Sequence, residues 1–447
     1  MFRGSNMKQL SLLLVLALAG FGCAGEEAET IIDPNYDGPT YHEHVAPIIE
    51  KNCASCHQPG NIGPFNFNSY EEAYSYRELI RTAVRSGTMP PFPPRTDGSC
   101  RDLVDERMMN DEDRQTVLDW VEADGPEGDP ALAPEAAVLD TSDLELGPAT
   151  SYADWGFDFQ PTHGLHEEWR CLLVDPGWEE TVHLKAVGVE PGNRGVVHHI
   201  IVFGVLPGND DALAELEAED DVPGYWCPNG ARIDGAFNIA GYAPGAPTRA
   251  FPDGATISLP AGTKFLMQMH YNYAAVREND MSKALFWEVD EPSDIRPSGL
   301  ALVNQWFEIP EGSPSYTAEG FSQIVAEGEP RPTPLSQYPG TAWGASGHMH
   351  TLGKEVKIDL VKEDGTEECL LHIPKWDFNW QGNYRFKEPL DLVAGDRVRI
   401  RCTWDNSQEN QAIGPDGEQL QTRSVTWGDG TFDEMCLGSL QMTTPRD

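Results

Sequence analysis

The feature of this sequence that most constrains its fold is a series of short apolar runs that begins near residue 140. VVHHIIVFGV, KFLMQMHYNY, KEVKIDLV and RVRIRCTW are rich in β-branched and aromatic residues, and turn signals separate them. The 35 prolines and 43 glycines of the chain favour tight turns over long helices. With 447 residues, the chain is too long for one ordinary core. The pattern predicts two β-sandwich domains, over residues 149–293 and 294–447.

The N-terminus predicts export. Arg3 and Lys8 precede the run LSLLLVLALAGFG, which is too short to cross a bilayer and is typical of the core of a signal peptide over residues 1–22. Cys23 then resembles the lipidated cysteine of bacterial lipoproteins, with plain secretion as the alternative. We therefore expect an exported protein of the bacterial cell envelope with a lipid anchor and a tether over residues 23–40. Disulfides are permitted in that compartment.

Residues 41–127 predict helices. HEHVAPIIEKNCASCH and NDEDRQTVLDWVEADG each fit a helix, with Asn110 as the N-cap of the second and Gly125 as its stop. A proline- and acid-rich linker follows over residues 128–148.

The first of these helices leads into Cys53-Ala54-Ser55-Cys56-His57, which is the C-x-x-C-H attachment motif of a c-type haem. Cys53 and Cys56 would form the thioethers, and His57 would ligate the iron. Met89, in a Met-Pro-Pro stretch, is the expected sixth ligand, because a thioether stabilises reduced iron. Met108, Met109, His42 and His44 remain alternatives. The segment resembles small cytochromes c whose ligand loop ends in Met-Pro-Pro, which implies electron transfer.

Five histidines lie within or beside the strand-like runs, where an imidazole is costly unless something compensates it. His198 and His199 are adjacent, so an ideal strand would point them to opposite faces. Both could reach one metal only if a bulge re-aims one of them or if they use different ring nitrogens. His270 ends another run. His348 and His350 are two residues apart and fall on one strand face, and Met349 between them faces the core.

These motifs, followed by D-E-M-C at the C-terminal end, resemble the copper type II ascorbate-dependent monooxygenases over residues 150–447. The resemblance implies one copper (H) on His198, His199 and His270 and a second (M) on His348, His350 and Met435. The two copper ions would use O2 to hydroxylate a substrate, with incorporation of one oxygen atom. His348, His350 and Met435 would then form the catalytic centre.

The same resemblance implies two disulfides, Cys171 with Cys227 and Cys402 with Cys436. Cys100 and Cys369 are left over, and sequence alone leaves open whether they pair across domains or stay as thiols.

The sequence departs from peptide-hydroxylating members of the family. Ser346 stands where they carry an arginine that anchors the substrate, and Leu437 and Ser439 stand where they carry asparagine and tyrosine. A smaller, more neutral substrate is therefore expected. Trp376 and Trp380 are candidates for the pocket wall, with core packing as the alternative.

The net charge of −41 argues against nucleic acid as a partner, because no basic surface is available to neutralise phosphates.

The predicted fold class is a small all-α cytochrome c domain followed by two all-β jelly-roll-like sandwich domains. The predicted function is an exported copper monooxygenase with its own covalent haem c, which uses O2, a small-molecule substrate and an external electron donor, either ascorbate or a redox protein. The alternatives are a non-catalytic haem and copper electron-transfer or copper-binding lipoprotein, and an adhesive surface lipoprotein.

Overall fold

A computed structural model describes residues 36–446 of the chain, apart from short internal stretches. The residues outside this description are 1–35, 55, 60–62, 64, 105–108, 134–145, 163–166, 220, 229, 244–247, 274–276, 334, 379, 415–417, 429, 431 and 447. The predicted signal peptide, Cys23 and Met108 therefore lie outside the described residues. Residues 38–447 form one compact unit.

The helices are short. They are a π-helical turn at Tyr41–Val45, α1 Ala46–Asn52, α2 Tyr70–Ser75, α3 Arg77–Ser86, α4 Asp111–Glu122 and α5 Asp210–Glu217, with 3-10 turns at Pro130–Leu132, Pro252–Gly254 and Gln408–Asn410. The predicted N-cap is confirmed, since the Asn110 side chain accepts a hydrogen bond from the N–H of Asp113. Gly125 follows α4 with a positive φ of 68°, in agreement with the predicted stop. No helix in the described part of the chain is long and apolar enough to cross a membrane.

The first β region pairs two sheets around one core. Its strands are β1 Ser151–Ala153, β2 Glu167–Val174, β3 Val182–Glu190, β4 Val197–Val205, β5 Tyr225–Trp226, β6 Phe237–Tyr242, β7 Ile257–Leu259, β8 Lys264–Asn272 and β9 Lys283–Val289. One sheet has the order β1-β9-β3-β7 and the other β5-β2-β8-β4-β6. Phe286 of the first sheet and Phe265 of the second are fully buried in contact with each other.

The second β region repeats this arrangement. Its strands are β10 Ile295–Val303, β11 Glu308–Ile309, β12 Tyr316–Gln323, β13 Gly340–His348, β14 Gly353–Val361, β15 Glu367–Ile373, β16 Asn383–Leu392, β17 Arg397–Trp404, β18 Val425–Thr426 and β19 Leu437–Pro445. The sheets have the orders β10-β19-β13-β16 and β12-β17-β14-β15, and β11 pairs with β18. Ile358, Ile400 and Leu440 lie in the core between the two sheets.

One arginine links the two β regions. Arg446, just after β19, donates hydrogen bonds to the carbonyl oxygens of Ser293 and Thr256 and to the hydroxyl of Ser258, at 2.6–2.8 Å. A fourth bond goes to the hydroxyl of Thr256 at 2.8 Å, so four of the five guanidinium donors are used, and the rigid fork makes the contact directional. The end of the last strand is thereby fixed to the first β region.

The predicted fold class is wrong. Strands make up 37% of the structure and helices only 15%, and the strands form small sheets of two to five strands. Among the described residues before the first strand there is no clear all-α cytochrome c domain. The helices do share an apolar cluster around Trp120, but the chain between α3 and α4 leaves that cluster.

This departing stretch runs along the second β region and explains why the helices are not a separate domain. Leu103 forms a β-bridge with Phe386 of β16, and the N–H of Arg101 donates to the carbonyl of Cys369. A disulfide joins Cys100 to Cys369, which answers the question that the sequence left open for these two cysteines. The two partners in each of these contacts are far apart in sequence, so local helix patterns carry no information about their pairing.

Asp359, on β14, allows the stability of the second β region to be tested. Its buried carboxylate lies 2.8–3.1 Å from the charged groups of Lys357, Arg399 and Arg401. Burial raises the pKa of Asp359, but the hydrogen bonds from Lys357 and Arg399 outweigh it and hold the pKa below 3.8. Because the folded-state pKa is lowered, the stability that Asp359 contributes is present above pH 3.8 and is lost as the pH falls further.

We expect Asp359→Asn to lower the free energy of unfolding at pH 7 by about 2 kcal/mol and to reduce the loss of stability below pH 3.8. Urea unfolding measured across pH checks this, and unchanged stability at pH 7 would contradict it.

Candidate metal centres

Three histidines of the first β region converge at one point. His198 and His199 lie on β4 and His270 on β8, and one ring nitrogen from each lies within 4.8 Å of the others. Nδ1 of His199 lies 3.1 Å from Nδ1 of His198 and 3.3 Å from Nδ1 of His270. A proton on Nδ1 of His199 can be donated to only one of the two neighbouring Nδ1 atoms, so hydrogen bonding satisfies only part of the cluster. A metal ion, by contrast, can accept a lone pair from each of the three rings.

A β-bulge brings the adjacent histidines together. In the ladder between β4 and β8, Val197 is opposite Tyr271 and His199 is opposite His270, so the register shifts at His198. The extra residue breaks the strict alternation of faces. A bulge is one of the two conditions under which the sequence allowed His198 and His199 to reach one ion.

Burial keeps these imidazoles neutral. Together with the neighbouring imidazoles, which contribute less, it lowers the pKa of His199 to about 3 and that of His270 to about 2. Burial also lowers the pKa of His198. Nε2 of His270 is buried and has no hydrogen-bond partner within the described structure. Neutral, desolvated imidazoles are good ligands for copper and for other divalent transition metals, so the residues fit a metal ion.

The second pair of histidines lies where β13 ends. His348 is the last residue of that strand and His350 lies in the turn that follows, so the prediction that both sit on one strand face is replaced by a strand end and a turn. Their ring centroids are 5.1 Å apart and their planes nearly perpendicular. Met349 is fully buried in the core, which confirms that it packs.

Two acceptors orient these rings. Nδ1 of His348 donates to Oε1 of Gln381 at 2.5 Å, and Nδ1 of His350 donates to the carbonyl of Asp433 at 3.1 Å. The Gln381 amide is itself fixed, because its N–H donates to the carbonyl of Phe378. Each ring therefore carries its lone pair on Nε2, in the way that hydrogen bonds around metal sites select the ligating nitrogen.

A buried carboxylate ties His350 to the third expected ligand. Glu434 accepts hydrogen bonds from the backbone N–H groups of His350, Leu352 and Met435 and from Nε1 of Trp404, at 2.7–3.2 Å. Burial raises the pKa of Glu434 to about 7, and these hydrogen bonds oppose the rise. Met435, which is half-buried, is therefore held through its backbone beside the histidine turn. Neither Glu434 nor Gln381 was predicted from the sequence, because a lone Glu or Gln in a loop gives no sign of burial.

The disulfides brace both centres. Cys171 is bonded to Cys227 and Cys402 to Cys436, the two pairings that the resemblance implied. Cys436 follows Met435 directly, and Cys402 lies on β17. The ligand loop is thus joined covalently to a central strand of the second β region.

The C-x-x-C-H segment is placed at the end of α1. Neither Cys53 nor Cys56 forms a disulfide. Nδ1 of His57 donates to the carbonyl of Phe65 at 2.9 Å, and the ring stacks on Phe67. Nε2 of His57 therefore carries the lone pair.

The structure also places the expected sixth ligand and its rivals. Met89 is half-buried beyond α3. Met109 packs inside the helical core, His42 lies 3.3 Å from Glu127, and Nδ1 of His44 accepts from the N–H of Thr40. These three alternatives are engaged elsewhere.

Residues 341–440 match the family model of the C-terminal domain of copper type II ascorbate-dependent monooxygenases. That range contains His348, His350 and Met435. Over 237 residues the chain is 25% identical to MOXD1 homolog 2 of Drosophila melanogaster, a match that covers 48% of this chain and 30% of that protein. The matches support the copper type II monooxygenase family.

The chain thus spans less than a third of the length of this relative. Among solved structures, the VP2 subviral particle of infectious bursal disease virus matches 69% of this chain and 78% of its own at 11% identity. Its TM-score of 0.19 carries no argument about the fold.

Near His348, an uncharged serine, Ser346, stands at the position of the arginine that anchors the substrate in peptide-hydroxylating members of the family. Ser346 lies opposite Ser439 in the β13–β19 ladder, and their hydroxyls are hydrogen-bonded at 2.8 Å. Trp376 is buried, and its Nε1 donates to the carbonyl of His350, so it is a core residue rather than a pocket wall. Trp380 is half-buried.

We expect Glu434→Gln to destabilise the protein by about 1–3 kcal/mol, because an amide cannot accept all the hydrogen bonds that the carboxylate accepts and leaves buried donors unsatisfied. Urea unfolding measures this. Glu409→Gln, at an exposed position, is the matched control and should leave the free energy of unfolding unchanged. Equal stability of the two variants would show that Glu434 does not hold the ligand loops.

Proposed function

We propose that this chain is a copper-dependent monooxygenase that hydroxylates a small, uncharged organic substrate with O2. The observation that carries the proposal is the convergence of three neutral imidazoles on one point, at a β-bulge, in a chain whose C-terminal region matches the copper monooxygenase family. His198, His199 and His270 would hold one copper ion. His348, His350 and Met435 would hold the other.

Copper at these two centres would supply the one-electron steps that insert one oxygen atom of O2 into a C–H bond and reduce the other to water. The protein's part is to fix the ligands. Gln381 and the Asp433 carbonyl hold Nε2 of His348 and His350 as the donor atoms. A thioether such as that of Met435 favours Cu(I), the state that reacts with O2.

The two centres belong to one compact unit. After burial and His198, the His348 imidazole is a third cause of the lowered pKa of His199, so the two centres lie within electrostatic range of each other. An electron stored at the three-histidine centre would then be available to the centre at which O2 reacts.

The substrate is proposed to be neutral because of what surrounds His348. The Ser346–Ser439 pair offers two hydroxyls and no positive charge to a substrate carboxylate. Hydroxyls donate and accept, so they suit an alcohol, an amide or a carbonyl. Peptides that end in a carboxylate lack an anchor at this position.

We further propose a covalent haem c on Cys53 and Cys56, with His57 and Met89 on the iron. Its support is the sequence motif and the orientation of His57 by Phe65. The haem would pass electrons towards the three-histidine centre. Export and a lipid anchor on Cys23 are part of the same proposal, since the three disulfides of the described structure form and persist in an oxidising compartment.

The monooxygenase proposal is tested with copper-loaded full-length protein. We expect two copper ions per chain, and oxygen consumption with a hydroxylated product when the reduced protein meets a panel of small neutral substrates. His270→Ala should lose one copper ion, since it removes a third of one ligand set, and His183→Ala should lose none, since that histidine bonds Ser258. Full copper content without oxygen consumption on any substrate would favour a non-catalytic copper protein, and absence of copper would exclude both.

The haem proposal has its own test. Expression in a host that matures c-type cytochromes should give a haem-stained band that survives denaturing electrophoresis, and Cys53→Ala with Cys56→Ala should abolish the stain because no thioether can form. Wild-type protein without stain would contradict the haem proposal and leave the copper proposal intact.

A further inference from the structure

Two indole rings lead from the protein surface to the three-histidine centre. The ring of Trp169 stacks on that of His270, with centroids 4.1 Å apart and planes at 11°. Trp226 meets Trp169 edge to face, with centroids 6.1 Å apart. The side chain of Trp226 is 40% exposed.

The order of strands in the sheet produces most of this row, whereas Trp226 lies opposite Arg170 and meets the ring of Trp169 from the neighbouring register position. Trp226 lies on the edge strand β5, Trp169 on β2, His270 on β8 and His199 on β4, which are successive neighbours. Trp169 is directly opposite His270, and His270 is directly opposite His199. Side chains that are opposite one another on one sheet face lie in contact across the strands.

Ring packing alone does not account for Trp226. An aromatic pair in a core gains from complete burial, whereas this one ends at solvent on a strand of two residues. The guanidinium of Arg232 donates to the carbonyl of Trp226, and two hydrogen bonds to the carboxylate of Glu219 neutralise its charge. The exposed indole itself, and not a local cation, is therefore the feature that a small reductant can reach.

We propose that Trp226 and Trp169 form the entry path for electrons that an external ene-diol reductant, such as ascorbate, delivers to the three-histidine centre. The inference rests on the proposed copper at that centre. In each step the donor would lose one electron to Cu(II), which would become Cu(I), and would release one proton to solvent, so that the donor becomes a radical. No bond of either tryptophan is made or broken, because the rings only shorten the gap that the electron crosses.

The test follows Cu(II) reduction directly. Copper-loaded full-length protein is mixed with ascorbate without O2, and loss of the Cu(II) electron paramagnetic resonance signal is followed in time. Trp226→Leu should slow the reduction by roughly tenfold, which is about 1.4 kcal/mol in activation free energy. Trp226→Phe should retain most of the rate, since a ring remains. Copper content and the shape of the signal should not change in either variant.

Trp306→Leu is the matched control, because Trp306 is 91% exposed in the second β region and contacts neither centre's ligands in the described structure. It should reduce at the wild-type rate. Equal rates for Trp226→Leu and wild type, with a full Cu(II) signal, would overturn the entry path alone and leave the monooxygenase proposal standing. A wild-type protein that gives no Cu(II) signal would overturn the proposed function and this inference together.

Discussion

The second metal centre depends on one buried carboxylate. Glu434 accepts four hydrogen bonds, and their donors come from the turn after β13, the end of β17 and the loop before β19. A carboxylate in an apolar core is costly by itself, and only a full set of donors makes it tolerable. The reverse also holds, because without Glu434 the buried N–H groups of His350 and Leu352 would have no acceptor. The geometry of the expected copper ligands is thus set by a residue that touches no metal.

The first centre is built by different means. There the backbone itself supplies the geometry, since the bulge at His198 lets two consecutive residues of one strand turn to a single point opposite His270. Such a centre sits in the middle of a sheet and is rigid, which suits an ion that stores an electron. The second centre lies at strand ends and in turns, where a small molecule has room to approach. The two constructions therefore match the two roles proposed for them.

Much of this could be predicted, and the failures have a common cause. The apolar runs predicted the strands, and Asn110 predicted the start of α4, because both signals are local. The spacing of the histidines, read with the family resemblance, predicted which residues meet at the first centre. The fold class failed because the stretch around Leu103 pairs with β16, nearly 300 residues away, and a non-local pairing leaves no mark in a helix pattern. Glu434 and Gln381 escaped notice for the same reason, since their burial is decided by distant strands.

The disulfide between Cys171 and Cys227 acquires a second role from the row of aromatic rings. An edge strand of two residues gives little backbone pairing to hold Trp226 in place, and edge strands are where sheets fray. Cys227 follows Trp226 directly, and Cys171 lies two residues after Trp169, so the bridge fastens the segments that carry both indoles. A contact between ring edges weakens quickly as the rings separate. The covalent link therefore keeps the exposed ring at a fixed distance from the ring that stacks on His270, which is the requirement that an electron path places on a surface residue.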